Sequence, residues 1–516
     1  MSLARLHQAG ALLVASLLLV LTAATGVHSA CNATCKQDVA RCIATQCGAR
    51  IDGATCRQRC KPAVIRTLAY VLTECRVDAA GLGVGHQALR IRRGDREPIT
   101  VAEFGPESEP EGLCRLYGNQ REGDASVVAF PLQRLGVSPD GSAVVFEVND
   151  EFSLSRFTLP SPEQRGFFIV RSDGSGLRPL GPASRDRSFE GFSSPPIAFS
   201  PNGRRIAFTD LGPGPGGEEA VQIVVLDLAT GKRTQVTRLP SGTPPSPPNG
   251  TGSFFLTCCP QFIDDETVVF QTYVDPDGSN PEHTFAGFTV RIDGSGLKPV
   301  PLPVAVPGSR VVPSFAVGGG RGTSLLRLSL PGTPAKHRPG GDYPITEVFV
   351  RDGEDLRQLT NFHLGDTVAA FLNVARTRAF FLASADPLGT NPNENCQLFS
   401  IGILGGAKSL RQVTHFDSPG RTIGPACAGV ASAFPGCPIG SGYYRVVLQD
   451  PATKAIVFNS TCDPFHVNPS GEQIFTMRPD GGGLRQLTDA SGLTTNPDGS
   501  FRVELPGPYA YSAPLR

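Results

Sequence analysis

From residue 131 onward the chain alternates short apolar runs with tight polar turns, and two such patterns recur. The first is strand-like, broken by a turn: LGVSPDGSAVVFEV (135–148), IAFSPNGRRIAFTD (197–210) and QFIDDETVVFQT (261–272). The second follows some way downstream: GFFIVRSDGSGLRPLG (166–181), VQIVVLDLATGKRTQVT (221–237), FTVRIDGSGLKPV (288–300), TEVFVRDGEDLRQLT (346–360), CQLFSIGILGGAKSLRQVT (396–414) and EQIFTMRPDGGGLRQLT (472–488). Runs such as AVVFEV and RIAFT are rich in β-branched and aromatic residues, as strands require. In SPDG and SPNG, Pro139 or Pro201 presets φ, Asp140 or Asn202 tolerates left-handed geometry, and Gly141 or Gly203 closes the turn. Each unit therefore predicts four short antiparallel strands.

Copies of the second pattern begin 55, 67, 58, 50 and 76 residues apart. A small sheet of this kind cannot bury both faces alone, and stacking several around an axis gives a β-propeller. The uneven spacing places insertions in Pro/Gly-rich loops such as 212–217 and 240–250. Three units, at 313–328, 367–384 and 443–460, keep the strand-turn-strand outline without the SPDG turn. Six blades are expected, or seven if residues 84–130 combine with FRVELPGPYAYSA (501–513). A terminal segment is expected to close the ring by completing a blade from the other end, since an open ring would expose two strand edges.

The region before the repeats reads differently. Residues 1–30 carry a basic start at Arg5, an apolar run from Ala11 to Leu21 and small residues before Cys31, the pattern of a secretory signal peptide. The run is shorter than the ~20 apolar residues of a membrane-spanning helix, so no transmembrane segment is expected in the mature chain. A retained anchor and lipid attachment at Cys31 are the competing readings. Residues 31–78 form a cysteine-rich module containing Cys31, Cys35, Cys42, Cys47, Cys56, Cys60 and Cys75. Cys31/Cys35 and Cys56/Cys60 are each four apart, so two antiparallel helices stapled Cys31 to Cys60 and Cys35 to Cys56 are expected. AVIRTLAYVLTEC (63–75), after Pro62, reads as a further helix. Residues 79–130, with Cys114, form a linker and candidate ring-closing segment, and the propeller occupies 131–516.

Pairing of an [F/V]SP[D/N]G strand-turn-strand with a later DGSGLRxLT hairpin resembles the TolB-like, WD-repeat-like propeller family over roughly residues 131–490. The chain has no Trp and 30 Phe, so Phe takes the packing role of the usual WD repeat. The resemblance implies a bacterial envelope protein that acts through protein contacts. The cysteine module departs from the family's N-terminal domain and argues against membership of the Tol complex.

Composition narrows the function classes. Lys+Arg and Asp+Glu are both 47, for a formal net charge of zero. The basic footprint of a nucleic-acid binder is therefore missing. Fourteen cysteines in an exported chain point to disulfides, eight in the N-terminal region and six, Cys258, Cys259, Cys396, Cys427, Cys437 and Cys462, within the repeats. No C-x2-C or C-x-x-C-H spacing supports zinc, redox or haem chemistry in the N-terminal module. Vicinal Cys258-Cys259 is expected to reach two distant partners among the other four, with a redox-active vicinal disulfide as the sharper alternative.

Candidate chemistry elsewhere is sparse. The Asp275-Pro276-Asp277-Gly278 turn before His283 has calcium-type oxygens but lacks an EF-hand's later carboxylates. His86, His283, His337, His363, His415 and His466 show no metal spacing. Asn32, Asn249 and Asn459 head glycosylation sequons. The Arg and Asp residues at 171/173, 291/293, 351/352 and 478/480 read as solvated positions beside hairpin turns. There is no G-x-S-x-G elbow, which excludes a peptidase of the prolyl-oligopeptidase kind. The expectation is a periplasmic or secreted, monomeric, non-enzymatic platform for a protein or peptide, with no cofactor, no metal and no nucleic acid. A propeller enzyme or a small-molecule or carbohydrate binder with a site in the central channel is the alternative.

Overall fold

The computed structural model describes residues 63–511, apart from 105–114, 117–126, 149–164, 187–196, 243–256, 301–309, 312–323, 331–344, 417–447, 466–472 and shorter gaps. The signal-like segment, the proposed helical staples and Cys31, Cys35, Cys42, Cys47, Cys56, Cys60, Cys114, Cys427 and Cys437 lie outside the described residues.

Six four-stranded antiparallel sheets follow one another along the chain, each with its strands in sequence order. Blade 1 runs through Leu132–Val137, Ala143–Val148, Gly166–Arg171 and Arg178–Gly181. Blade 2 spans Ala198–Phe199 to Arg233–Gln235, and blade 3 runs from Thr257–Phe262 to Lys298–Pro299. Blade 4 spans Arg310–Val311 to Asp355–Gln358, blade 5 Val368–Leu372 to Arg411–Gln412, and blade 6 Leu448–Gln449 to Arg485–Gln486. The first strands of neighbouring blades lie against each other. Ile197 N–H donates to Leu135 O at 3.0 Å, and a Cβ on Gly136 would sit 2.8 Å from Ile197 O.

The ring is closed by a five-stranded sheet in the order Ile99–Phe104, Gly83–Arg93, Thr67–Val77, Phe501–Tyr511, Gly492–Thr495. It fills the place between blades 6 and 1. Leu68, Tyr70 and Leu72 pack with Ala455, Val457 and Ile474 of blade 6. Ala69 and Val71 face the other way, onto Leu135, Val144 and Phe146 of blade 1. That strict alternation is what a strand buried on both faces requires. Six repeat blades are thus present, and the closing sheet joins strands from the two segments that the sequence singled out, 84–130 and 501–513, through Thr67–Val77, which was not among them.

The stretch 63–75 corrects an expectation. Read as a helix in a cysteine-stapled module, it forms the strand Thr67–Val77 instead, and the described residues contain no α-helix, only the 3-10 turn Gly406–Ser409. Its partner, Phe501–Tyr511, pairs Leu68 with Tyr511 and Val77 with Phe501. Tertiary pairing has overridden local helix propensity here.

The repeated turns work as their residues demand. Ser138 Oγ donates to Asp140 Oδ1 at 2.6 Å and accepts Ala143 N–H at 2.9 Å, while Gly141 takes φ +72°. Ser200, Asn202 and Gly203 repeat this geometry. In blade 5, Asn373 Oδ1 accepts the N–H groups of Thr377 and Arg378 in place of the serine, and Arg376 occupies Gly141's position with φ +52°. Stacked phenylalanines such as Phe458–Phe475 (5.7 Å) and Phe381–Phe399 (6.0 Å) fill the blades.

Candidate functional site

Antiparallel blades with four sequential strands place the first and third connections at one end and the second and fourth at the other. The first end carries tight turns: 138–142, 200–204, 263–266 and 373–377, with 312–323 as the exception. The strands that flank the long connections 149–165, 182–197, 236–256, 331–344 and 413–447 meet them at the opposite end. Exposed binding groups concentrate on such loops because a rigid scaffold holds their roots.

Those roots are fixed by the repeated motif. In the LRQLT-type ending, Thr488 Oγ1 accepts Ile474 N–H at 2.9 Å and donates to Gln473 Oε1 at 2.7 Å. Gln473 Nε2 then donates to Ala490 O, and its Oε1 accepts Ala490 N–H. Gln397 with Thr414 and Gln222 with Thr237 form the same clasp. Within the motif, Gln486 Nε2 returns to Thr488 O at 2.7 Å. The motif arginine reaches the next blade: Arg178 donates to Leu228 O, Arg357 to Ile403 O, and Arg485 pairs with Asp95.

Blade 4 carries Glu347 where the others have Gln. Its carboxylate accepts Thr360 O–H at 2.5 Å and the N–H groups of Phe362 and His363 at 2.7 and 2.8 Å. To offer the second N–H, His363 adopts φ +56°. Burial pushes the Glu347 carboxyl above the usual range, against the pull of those three donors.

Blades 1 and 3 lack the clasp altogether. At the seam of blades 1 and 2, buried Arg134 pairs with Glu147 at 3.3 Å. Ser184 N–H donates to Glu147 at 2.5 Å, and Ser184 Oγ donates to Thr209 O. Beside them Arg233 pairs with Asp210 at 2.5 Å and lies 5.0 Å over the Phe208 ring. Burial raises the Glu147 pKa, and Arg134 opposes it.

In blade 3 the inner strand Thr257–Phe262 holds Cys258 and Cys259, and they are bonded to each other with Cα atoms 3.7 Å apart. This corrects the expectation of two distant partners: adjacency won over reach. Cys259 has φ +63°, and the strand register shifts between Cys258 and Gln261. The pair is buried and packs against Tyr273. Opposite Cys258 stands Gln271, 4 % exposed, whose Oε1 has no hydrogen-bond partner. Cys75, Cys396 and Cys462 are also disulfide-bonded. Like the vicinal pair they sit where strands meet the loop-bearing end: Cys75 late in Thr67–Val77, Cys396 before Gln397–Gly402, Cys462 after Ile456–Ser460.

The remaining candidates resolve simply. Asp277 accepts Ser279 N–H and O–H, and Asp275 accepts Asn280 N–H at 2.9 Å, so these carboxylates build the turn. His283 is exposed, with Nδ1 3.2 Å from Tyr273 O. His86 lies 4.0 Å from Glu103. No cluster of three metal-binding side chains occurs among the described residues. Arg171, Asp173, Arg291, Asp293, Asp352 and Asp480 are exposed beside the tight turns, while Arg351 and Arg478 are half-buried. Asn459 is fully buried in its strand, which removes it as a glycosylation acceptor in the folded protein. Sequence reasoning missed the clasp residues and the Arg134–Glu147 pair. The recurring Thr and the Gln or Glu near the head of the third strand in blades 2, 4, 5 and 6 were the available signal.

No family model matches the chain, and no curated protein matches it. Solved structures similar to it include an oligogalacturonate lyase in complex with manganese, 12 % identical, covering 78 % of this chain and 90 % of that one at a TM-score of 0.41. The structure of putative TolB from Agrobacterium tumefaciens is 11 % identical and covers 85 % and 99 % at 0.31. The β-propeller domain of the Trilobed protease from Pyrococcus furiosus is 8 % identical and covers 71 % and 88 % at 0.37. No helix among the described residues is long and apolar enough to cross a membrane. The sheet order and the ring-closing pairing establish this chain as a β-propeller, with a TolB-like protein among the structures that it resembles.

Proposed function

We propose that the protein is an exported, non-enzymatic binding platform whose loop-bearing face engages a protein or peptide partner in the periplasm or outside the cell. One observation carries this reading: the long connections gather at one end of the ring, where the clasps and disulfide-bonded cysteines fix their roots, while tight turns close the other end. Export is supported by the signal-like residues 1–30 and by the bonded state of Cys75, Cys396 and Cys462. The buried carboxylates Glu147 and Glu347 are occupied by structural donors, which leaves them unsuited to acid–base chemistry.

The test is crosslinked affinity capture from native envelope and medium fractions. The tagged chain is compared with one variant in which 240–250 is shortened to a Gly-Asn turn and another carrying Asp173→Asn and Asp293→Asn on the tight-turn face. A partner lost with the shortened loop and kept by the turn variant is expected. Capture that is indifferent to the loop, or no capture at all, overturns the reading. A second reading, a small-molecule or carbohydrate binder at the central channel, draws on Gln271, whose unpartnered Oε1 stands beside the vicinal disulfide of an inner strand. Ligand-induced thermal shifts that disappear in Gln271→Leu would favour it.

A further inference from the structure

The seam between blade 6 and the closing sheet holds two buried arginines whose strands exchange contacts. Arg92, at the end of Gly83–Arg93, donates through Nη1 to Leu487 O at 2.6 Å. Arg485, two residues before Leu487, pairs in return with Asp95, three residues beyond Arg92. Arg92 is 5 % exposed and Arg485 1 %. Nε and Nη2 of Arg92 are buried with no hydrogen-bond partner.

Among the described residues, two guanidiniums share one buried carboxylate at this place, Asp95, which pairs with Arg485. Glu97 and Asp489, the other acidic groups facing this region, are exposed. Tyr70 beside them is buried and held neutral, because burial pushes its hydroxyl further above the ordinary range. The equivalent arginines of blades 1 and 4 donate instead to a backbone carbonyl of the next blade. Buried donors left unmade are costly, and a buried charge more so.

We propose that Arg92 and Arg485 form an internal site for one small monovalent anion of the halide class. The anion accepts from Nε and Nη2 along one edge of the planar Arg92 guanidinium and offsets the second positive charge of the pair. A doubly charged oxyanion would exceed the single positive charge left over by two guanidiniums and one carboxylate, which favours a monovalent ion. Occupancy would tie the closing sheet to blade 6, so ring closure would depend on the anion. Burial and the neighbouring Arg485 both push the Arg92 guanidinium below its ordinary range, with Tyr70, Glu97 and Asp95 opposing them.

The experiment uses the full mature chain in sodium chloride and sodium gluconate at equal ionic strength. Chloride is expected to raise the melting temperature in a saturable way and to show excess 35Cl line broadening. Crystals in sodium bromide are expected to give an anomalous peak between the two guanidiniums. Arg92→Met should abolish the chloride increment and the excess linewidth, and Arg291→Gln, at an exposed pair with Glu266, should retain both. Equal melting in the two salts without a bromide peak overturns the proposal, as does broadening that survives Arg92→Met. If Arg92→Met does not fold, the wild-type bromide peak decides.

Discussion

Blades 2, 4, 5 and 6 end in a Thr clasp, while blades 1 and 3 do not, and the Arg134–Glu147 pair and the vicinal disulfide sit in the latter two. Where the clasp is present, one amide or carboxylate satisfies the start of the outgoing loop, and the blade needs nothing else there. Where the ending is GLRPLG, the root is secured by the Arg134–Glu147 pair, whose carboxylate accepts Ser184 N–H; blade 3, which ends in GLKPVP, carries the vicinal disulfide in its first strand and an Asn280-centred loop between its second and third. The repeat therefore has a structural minimum, and departures from it mark where the loop-bearing face has been rebuilt.

The comparison can be broken most strongly at blade 1. Arg134→Leu leaves Glu147 buried without its cation, and a loss of about 3–5 kcal/mol is expected in denaturant titration. A smaller loss at this position than at any clasp would show the ion pair to be dispensable. In blade 6, Gln473→Leu strands Thr488 O–H and both backbone groups of Ala490, for an expected loss of about 2–3 kcal/mol. The same substitution at Gln222 should cost a similar amount, and inequality between the two would mean that the clasps are not equivalent.

Glu347→Gln should act in the opposite direction. Because burial raises the Glu347 pKa above its ordinary 4.5, the native state is favoured with that carboxyl protonated. Its contribution is fully present below pH 4.5 and is lost as pH rises through the higher folded value. The Gln variant, which recreates the clasp of blades 2, 5 and 6, should therefore melt higher than wild type at pH 7 and converge with it near pH 4. Parallel pH profiles would refute the burial argument. The smallest effect is expected from Cys258→Ser with Cys259→Ser. A bond between adjacent residues closes almost no chain, so its removal should cost no more than about 1 kcal/mol, measured by chemical denaturation alongside peptide mapping of the native bond.

Much of this was legible in the sequence because turn chemistry and strand alternation are local. SPDG, SPNG and DGSG predict their own geometry, and Asp173 and Asp293 each cap a Ser two residues on, as such turns do. The strand Thr67–Val77 was not legible. Its residues suit either state, and its register is set by Phe501–Tyr511, which no local window contains. The blade 1 ion pair was hidden for a related reason: Arg134 and Glu147 are near in sequence, but Ser184 and Thr209, which complete their shell, come from elsewhere. The vicinal bond was misread because reach was weighed and the local chain path through Cys259 was not.

The pairing of Leu68 with Tyr511 also sets a clock on biosynthesis. At ribosomal speeds of about 5–20 residues per second, Thr73 waits roughly 20–90 s for Leu505 to be made. During that interval the early strands have no inner neighbour and the row of blades has two raw ends. A chain built this way stays threadable until Phe501–Tyr511 has been synthesised, and loss of that strand would leave the six repeat blades intact and the ring still unsealed.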